Sequence, residues 1–396
     1  MKMILVRVYL SLLCFLSFTI LVHSQTVYDL TNIYENITSG YRKQVIPISE
    51  QSKPLQLNFQ TYLMSIYTLD EQREILTVTM VISLQWIDPR LTWEPSLYGN
   101  TTRVIITTDD IWLPYVYLVN SADDLEPLGH DADSYAYVTS TGFVYWNPGG
   151  VMKAKCRTDI SKFPFDVQTC EFQLGMWGVS KVDVNTTLVS NKSLLTYFIP
   201  TSDWELISYK QYILEVEMSR TFVLELSIKR RPLYNIVTVI LPTMLFALMN
   251  PMVFILPVES GERVSFGMTI LLAYAIFLTL VASSVPVSSN PICVLLVLMV
   301  FIMILSGVIV ICVIISINYY YRQDLNDVSS CMKRLLLYYH RNGKTNYVKD
   351  GSCISRKNFN FSGKDVSRTL DAIFITISYV TLIGMLSGFY VFVFVR

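Results

Sequence analysis

The fold of this chain is decided by GERVSFGMTILLAYAIFLTLVASSVP, residues 261–286. A helix needs about 20 residues at about 1.5 Å each to cross a bilayer, and this stretch is long and apolar enough. It is not uniformly apolar. Glu262, Ser265, Thr269, Leu272, Ile276 and Leu280 are spaced 3, 4, 3, 4 and 4 apart, so they share one helical face. That face begins with a carboxylate, passes two small hydroxyls and ends in aliphatic side chains. A membrane helix of this kind suits the wall of a water-filled path. The competing reading is an ordinary span whose hydroxyls bond to the helix's own carbonyls.

Three further segments have spanning character: residues 233–256, 292–319 and 372–395, beside a second span at 264–285. The first is interrupted by Pro242 and Pro251, which a span tolerates where neighbouring helices satisfy the freed backbone groups. With 52% hydrophobic residues in a chain of 396, the composition is too apolar for an ordinary soluble globule. Residues 1–24 read as a secretory signal: Lys2 and Arg7 precede an apolar core, and Val22-His23-Ser24 offers a small-residue cleavage site. Residues 322–368 hold 10 Lys+Arg against 4 Asp+Glu, so this segment is expected in the cytoplasm. A cleaved signal and four spans then place both termini outside a plasma-membrane, multi-pass protein. Glu262 falls at the inner mouth. Residues 342–363, rich in Asn, Ser, Gly and Lys, have a disordered composition.

Residues 25–231 contain no spanning segment. Short alternating runs such as ILTVTMVISLQW (75–86) and FVLELSI (222–228) are separated by Asn, Asp, Gly and Pro. This is the pattern of an Ig-like antiparallel β-sandwich of about ten strands. The expected organisation is therefore a signal at 1–24, an extracellular β-sandwich at 25–231, and transmembrane helices 1–3 at 232–321. A short cytoplasmic segment at 322–368 and a fourth transmembrane helix at 369–396 follow. Sequons at Asn36, Asn100, Asn185 and Asn191 mark expected glycosylation sites on an extracellular surface. The sandwich carries 17 Lys+Arg and 24 Asp+Glu; such an acidic surface concentrates cations or simply keeps the domain soluble. Cys156 and Cys170 are its only cysteines, which leaves one possible intramolecular bridge, worth roughly 3 kcal/mol in a chain-entropy account.

The segment CRTDISKFPFDVQTC, residues 156–170, carries Phe163-Pro164-Phe165-Asp166 between its cysteines. It closely resembles the signature loop of the Cys-loop receptors, the pentameric ligand-gated ion channels. Trp86-x-Asp88, Leu91-x-Trp93, Trp112-x-Pro114, Arg230-x-Pro232 and Gly261-Glu262-Arg263 reinforce the likeness. It covers nearly the whole mature chain and is nearest the nicotinic acetylcholine receptor branch, with an invertebrate member expected.

The resemblance implies five subunits, with five second spans around the pore. Glu262 then forms an inner ring of carboxylates that attracts cations in a narrow space, and Glu259 is expected to add a second. The inserted Pro-Ala of anion-selective relatives is absent. Leu272 matches the leucine ring that closes the pore by dewetting, and Ser265 and Thr269 line its narrower half. Glu71 matches the acid that pairs with Arg230. Phe163, Pro164, Phe165 and Asp166 are expected to press on the linker at 286–291, which is shorter than in relatives.

Relatives bind a cationic transmitter between subunits in a box of aromatic rings. Trp177 matches one of these rings, with core packing as the alternative. Val119 stands where a binding tyrosine is expected, and Val81 where a complementary-face aromatic is. Residues 205–225 lack the adjacent cysteines of acetylcholine-binding α subunits, although Tyr209 and Tyr212 offer rings. Tyr145 and Met152 are expected on the complementary face. Each lost ring removes about 0.5–2 kcal/mol of cation attraction, so a conventional acetylcholine response of the homomer is not expected. Three readings stay open: another small-molecule agonist, a non-α subunit in a heteromer, or an orphan modulated by lipid, protons or ions. The partners expected are further subunits, an agonist or modulator, membrane lipid and permeant cations. No nucleic acid, metal, cofactor or enzyme constellation is expected.

Overall fold

The computed structural model describes residues 26–50, 52–129, 134–190, 195–217, 219–283, 285, 291–322 and 362–395. The expected signal, the sequon at Asn191, residues 286–290 of the linker and most of the cytoplasmic segment lie outside the described residues. The chain divides into two compact units. Among the described residues, one lies within 26–70, 75–157 and 169–228; the other lies within 71–74, 158–168 and 229–395.

The first unit is an extracellular β-sandwich with eleven strands among the described residues. β1 (Leu55–Asp70), β2 (Ile75–Thr92), β3 (Arg103–Thr107), β5 (Tyr135–Thr139), β6 (Thr141–Trp146), β7 (Gly149–Lys155) and β9 (Val184–Leu188) form one sheet. β4 (Tyr117–Leu118), β8 (Val167–Gly175), β10 (Trp204–Val216) and β11 (Ser219–Arg230) form the other, in the order β10-β11-β8-β4. Alternation drives this arrangement. Leu76, Val78, Met80, Ile82, Leu84 and Trp86 all turn inward from β2 and are at most 1% exposed. They meet Phe172 and Leu174 of β8 and Phe222, Leu224 and Leu226 of β11 in one core.

The tryptophan-rich motifs are structural. Trp86 and Trp112 meet edge-on with ring centroids 5.7 Å apart, and Trp93 donates from Nε1 to the Thr101 carbonyl at 2.7 Å. Asp88 is buried and held by Arg90 through Nε at 3.0 Å and a terminal nitrogen at 2.9 Å. The Tyr41 hydroxyl donates to the same carboxylate and lies under the Arg90 guanidinium, 4.1 Å from ring centroid to carbon. A buried charge with this many partners is satisfied rather than stranded. An N-terminal helix, α1 (Val27–Thr38), also packs on the core through Ile33 and Ile37. Thr26 and Asp29 cap it reciprocally.

Among the described residues, the second unit contains four helices long and apolar enough to cross a membrane: α2 (Leu233–Ile255), α3 (Arg263–Ser283), α4 (Val294–Tyr321) and α5 (Gly363–Phe394). Proline breaks α2 into pieces. A π-helical turn over Ile236–Ile240 precedes Pro242, and a tight 3-10 segment over Asn250–Ile255 contains Pro251. Each ring lacks an N–H and crowds the carbonyl four residues back, which accounts for both changes of pitch. α4 runs to Tyr321, past the expected end at 319. α5 starts at Gly363, ahead of the apolar stretch at 372–395, because Ser362 and Asp365 form a capping box and its first turns are continuous with the span.

Candidate functional site

In α3 the residues singled out by spacing are exposed together. Glu262, Ser265, Thr269, Leu272, Ile276 and Leu280 all face outward, with Leu272 63%, Ile276 55% and Leu280 59% accessible. The opposite face is packed: Arg263, Gly267, Ile270, Tyr274 and Val281 are buried. At Gly267 an added Cβ would lie 3.1 Å from Val310 of α4, so its lack of a side chain sets the close approach of the two helices. Tyr274 stacks edge-on against Phe246 of α2, with centroids 6.3 Å apart.

Two hydroxyls of this helix bond to its own carbonyls. Thr269 donates to the Ser265 carbonyl at 2.8 Å, and Ser283 donates to the Leu280 carbonyl at 2.8 Å. Their protons are therefore used within the helix, while both residues are exposed and their oxygens keep lone pairs able to accept from water. The exposed face of α4, by contrast, carries Val300, Phe301, Ile304, Val308, Ile311 and Ile314.

Glu262 lies just before α3 and is exposed. Glu259 differs from the expected second ring. Its carboxylate accepts from the Tyr320 hydroxyl at the end of α4 and from Lys364 Nζ, 3.4 Å away at the start of α5. The Tyr320 hydrogen bond and then Lys364 lower its pKa. The side chain thus turns towards its own helical bundle, because two donors lie there.

Arg230 joins a cluster within the second unit. Glu71 lies 2.7 Å from it, in agreement with the expected pairing. Asp166 is the more enclosed partner and makes two hydrogen bonds. It accepts from Arg230 Nε at 2.8 Å and from a terminal nitrogen at 3.1 Å, and its own side chain is 1% exposed. Gln168 donates to the same carboxylate at 2.6 Å, and the Phe163 ring lies 5.0 Å from the guanidinium carbon. Burial alone would lower the Arg230 pKa, but the Asp166 hydrogen bonds and charge outweigh it and raise the value. Phe163 and Pro164 are buried. Phe163 packs with Val285, Cys293 and Leu295, while the Phe165 ring meets Phe394 of α5 at 4.8 Å.

The agonist candidates divide between the two sheets. On the four-stranded sheet, Trp177 follows β8 and is 62% exposed, which removes it from the core. Val119 follows β4 beside Gly175, where an added Cβ would lie 3.2 Å from the valine methyl. Tyr209 and Tyr212 leave β10 on opposite faces, being three residues apart. Tyr209 packs on the core, so it is not a free ring. The Tyr212 hydroxyl donates to Glu171 at 3.0 Å, and burial followed by that carboxylate pushes its pKa up to about 12.

On the seven-stranded sheet, Val81 pairs with Tyr62 of β1, and Tyr145 pairs with Gln85 two alternations along β2. Val81, Tyr62 and Tyr145 therefore share a face. The hydroxyls of Tyr62 and Tyr145 are 3.5 Å apart. Met152 is the exception: it pairs with Val78 on the core face and is 4% exposed. Its neighbour Val151 pairs with Thr79 and is exposed beside Val81. Sequence reasoning missed Tyr62 and Val151; only the pairing of β1 and β7 with β2 identifies them.

Cys156 and Cys170 are joined in a disulfide. Of the sequons, Asn36 is exposed on α1 and Asn100 is exposed with a φ of 59°. Asn185 is engaged instead: its amide donates to Gln56 at 2.8 Å, and its oxygen accepts from Arg220.

Residues 30–232 match the neurotransmitter-gated ion-channel ligand binding domain, and residues 239–342 match the neurotransmitter-gated ion-channel transmembrane region. The chain is 30% identical over 310 residues to acetylcholine receptor subunit alpha of Danio rerio, covering 76% of this chain and 67% of that protein. It is 28% identical over 252 residues to neuronal acetylcholine receptor subunit beta-2 of Carassius auratus, covering 63% and 54%. Over 313 residues it is 28% identical to acetylcholine receptor subunit delta of Gallus gallus, covering 74% and 60%. The chain thus spans between about half and two thirds of the length of these relatives.

Proposed function

We propose that this chain, which belongs to the neurotransmitter-gated ion-channel family, is one of five subunits around a cation-selective pore lined by α3. It is a multi-pass protein of the plasma membrane and not an enzyme. The observation that carries the pore reading is the exposed stripe from Glu262 to Leu280 on a helix whose other face is packed. Five copies of that stripe enclose a path with carboxylates at one end and an aliphatic constriction further along. Two unit charges 4 Å apart interact by about 1 kcal/mol in water and about 4 kcal/mol at an effective dielectric of 20. A ring of five carboxylates in a confined mouth therefore selects strongly by sign.

The agonist is a small molecule bound between the four-stranded sheet of one subunit and the seven-stranded sheet of the next. Trp177, Tyr212, Tyr62 and Tyr145 supply the aromatic surface. Val119 and Val81 weaken it for quaternary ammonium, so acetylcholine is a poor agonist of the homomer. The missing adjacent cysteines at 205–225 and the two valines also favour a second reading, a non-α subunit that conducts when a partner supplies the principal face.

The test is Glu262→Ala in expressed channels, with the reversal potential measured as external salt is diluted. A reduced cation preference is expected. An unchanged reversal potential would defeat the selectivity assignment.

A further inference from the structure

Arg263 follows Glu262 directly, and a guanidinium keeps its charge at any physiological pH. Five such cations beside five carboxylates would cancel much of the collar's attraction. Yet Arg263 is 4% exposed and turned into the bundle, while Glu262 is on the exposed face.

All three of its guanidinium nitrogens are used. Nε donates to the Leu256 carbonyl at 2.6 Å, and one terminal nitrogen donates to the Phe254 carbonyl at 3.1 Å. These carbonyls lie at the end of α2, where no further helical turn uses them. Asp371 of α5 completes the set, with its two oxygens 3.1 and 3.0 Å from the terminal nitrogens. Asp371 is itself 9% exposed and accepts from the Ser316 hydroxyl of α4, which lies 2.8 Å from the Ser367 hydroxyl. The carboxylate thus joins α3, α4 and α5, and the guanidinium it holds brings in the end of α2. A buried carboxylate in a spanning helix is costly unless paired, so the pairing with Arg263 is what sustains it.

We propose that Asp371 is a positioning residue for ion selection: it holds and neutralises Arg263 inside the bundle, so that the inner mouth carries the charge of Glu262 alone. This rests on Glu262 forming the collar. Without Asp371 the guanidinium keeps two carbonyls and no counter-charge. It then swings to the water at the inner mouth, where it opposes Glu262.

The deciding experiment requires no current. Full-length protein in detergent is treated with phenylglyoxal, which modifies accessible guanidinium groups, and labelling at Arg263 is read by mass spectrometry. Wild type is expected to be protected. Asp371→Asn is expected to label at least roughly tenfold faster, because breaking one side of a buried pair strongly favours release of the other. Asp371→Glu, which keeps the charge but misaligns the fork, falls between them and decides the matter alone if the asparagine variant does not fold. Wild-type protection in the folded variants overturns the proposal. Currents in a Leu272→Ser background separate the two claims. If Glu262→Ala moves the dilution reversal potential, Asp371→Asn must move it in the same direction, and adding Arg263→Gln must restore it. A shift with Glu262→Ala and none with Asp371→Asn overturns the positioning role. No shift with Glu262→Ala removes the collar itself, whatever the labelling shows of Arg263.

Discussion

Along the exposed face of α3, the side chains run from a carboxylate through hydroxyls to aliphatics, an unbroken stripe for the proposed pore. The exposed faces of the sandwich are less complete. Trp177 stands in the open, but Val119 and Val81 occupy positions where the resemblance calls for aromatic rings. On the proposed function, conduction and recognition are therefore specified separately in this chain. One helix face suffices for the first, whereas the second needs rings from several strands and two subunits, and it can diverge while the pore stays intact.

The largest effect that sharpens this contrast belongs to Leu272→Ser. A hydroxyl at the constriction removes the dewetting barrier, and oocytes expressing this variant should carry a standing cation current many-fold above wild type. Surface-expressed receptors that stay silent under every ligand would assign the chain an accessory role instead. Next comes Asp166→Ala. It leaves the Arg230 guanidinium buried with Glu71 as a less enclosed partner, and about 3–5 kcal/mol of stability should be lost. Thermal unfolding of the purified protein measures this; a change below 1 kcal/mol, a surface-pair value, would contradict the buried pairing. The smallest effect tests the recognition side. Val119→Tyr and Val81→Trp should each add about 0.5–2 kcal/mol to the binding of a quaternary ammonium ligand. Concentration–response curves that fail to shift towards lower concentrations would place the agonist elsewhere.

Much of this architecture is legible in the sequence because its periodicities are strong. The inward row from Leu76 to Trp86 has a period of two, and the α3 stripe has the helical period. Pro242 and Pro251 mark the broken first span for a chemical reason visible in any sequence. The capping pair Thr26 and Asp29 marks the start of α1 as well. What sequence withholds is register and distance. Met152 and Val151 exchange roles through the parity of one strand pairing, and Tyr62 gains meaning only opposite Val81. Asp166 looks like part of a loop motif until Arg230 is brought to it. Asp371 meets Arg263 across 108 positions, and no local pattern marks either as the other's partner.

The central claim is that five copies of α3 enclose the ion path, and a density map of the purified full-length protein tests it most directly. The account predicts fivefold particles with Glu262, Ser265, Thr269, Leu272, Ile276 and Leu280 lining the axis. Particles of another symmetry, or Glu262 directed at lipid, would contradict it.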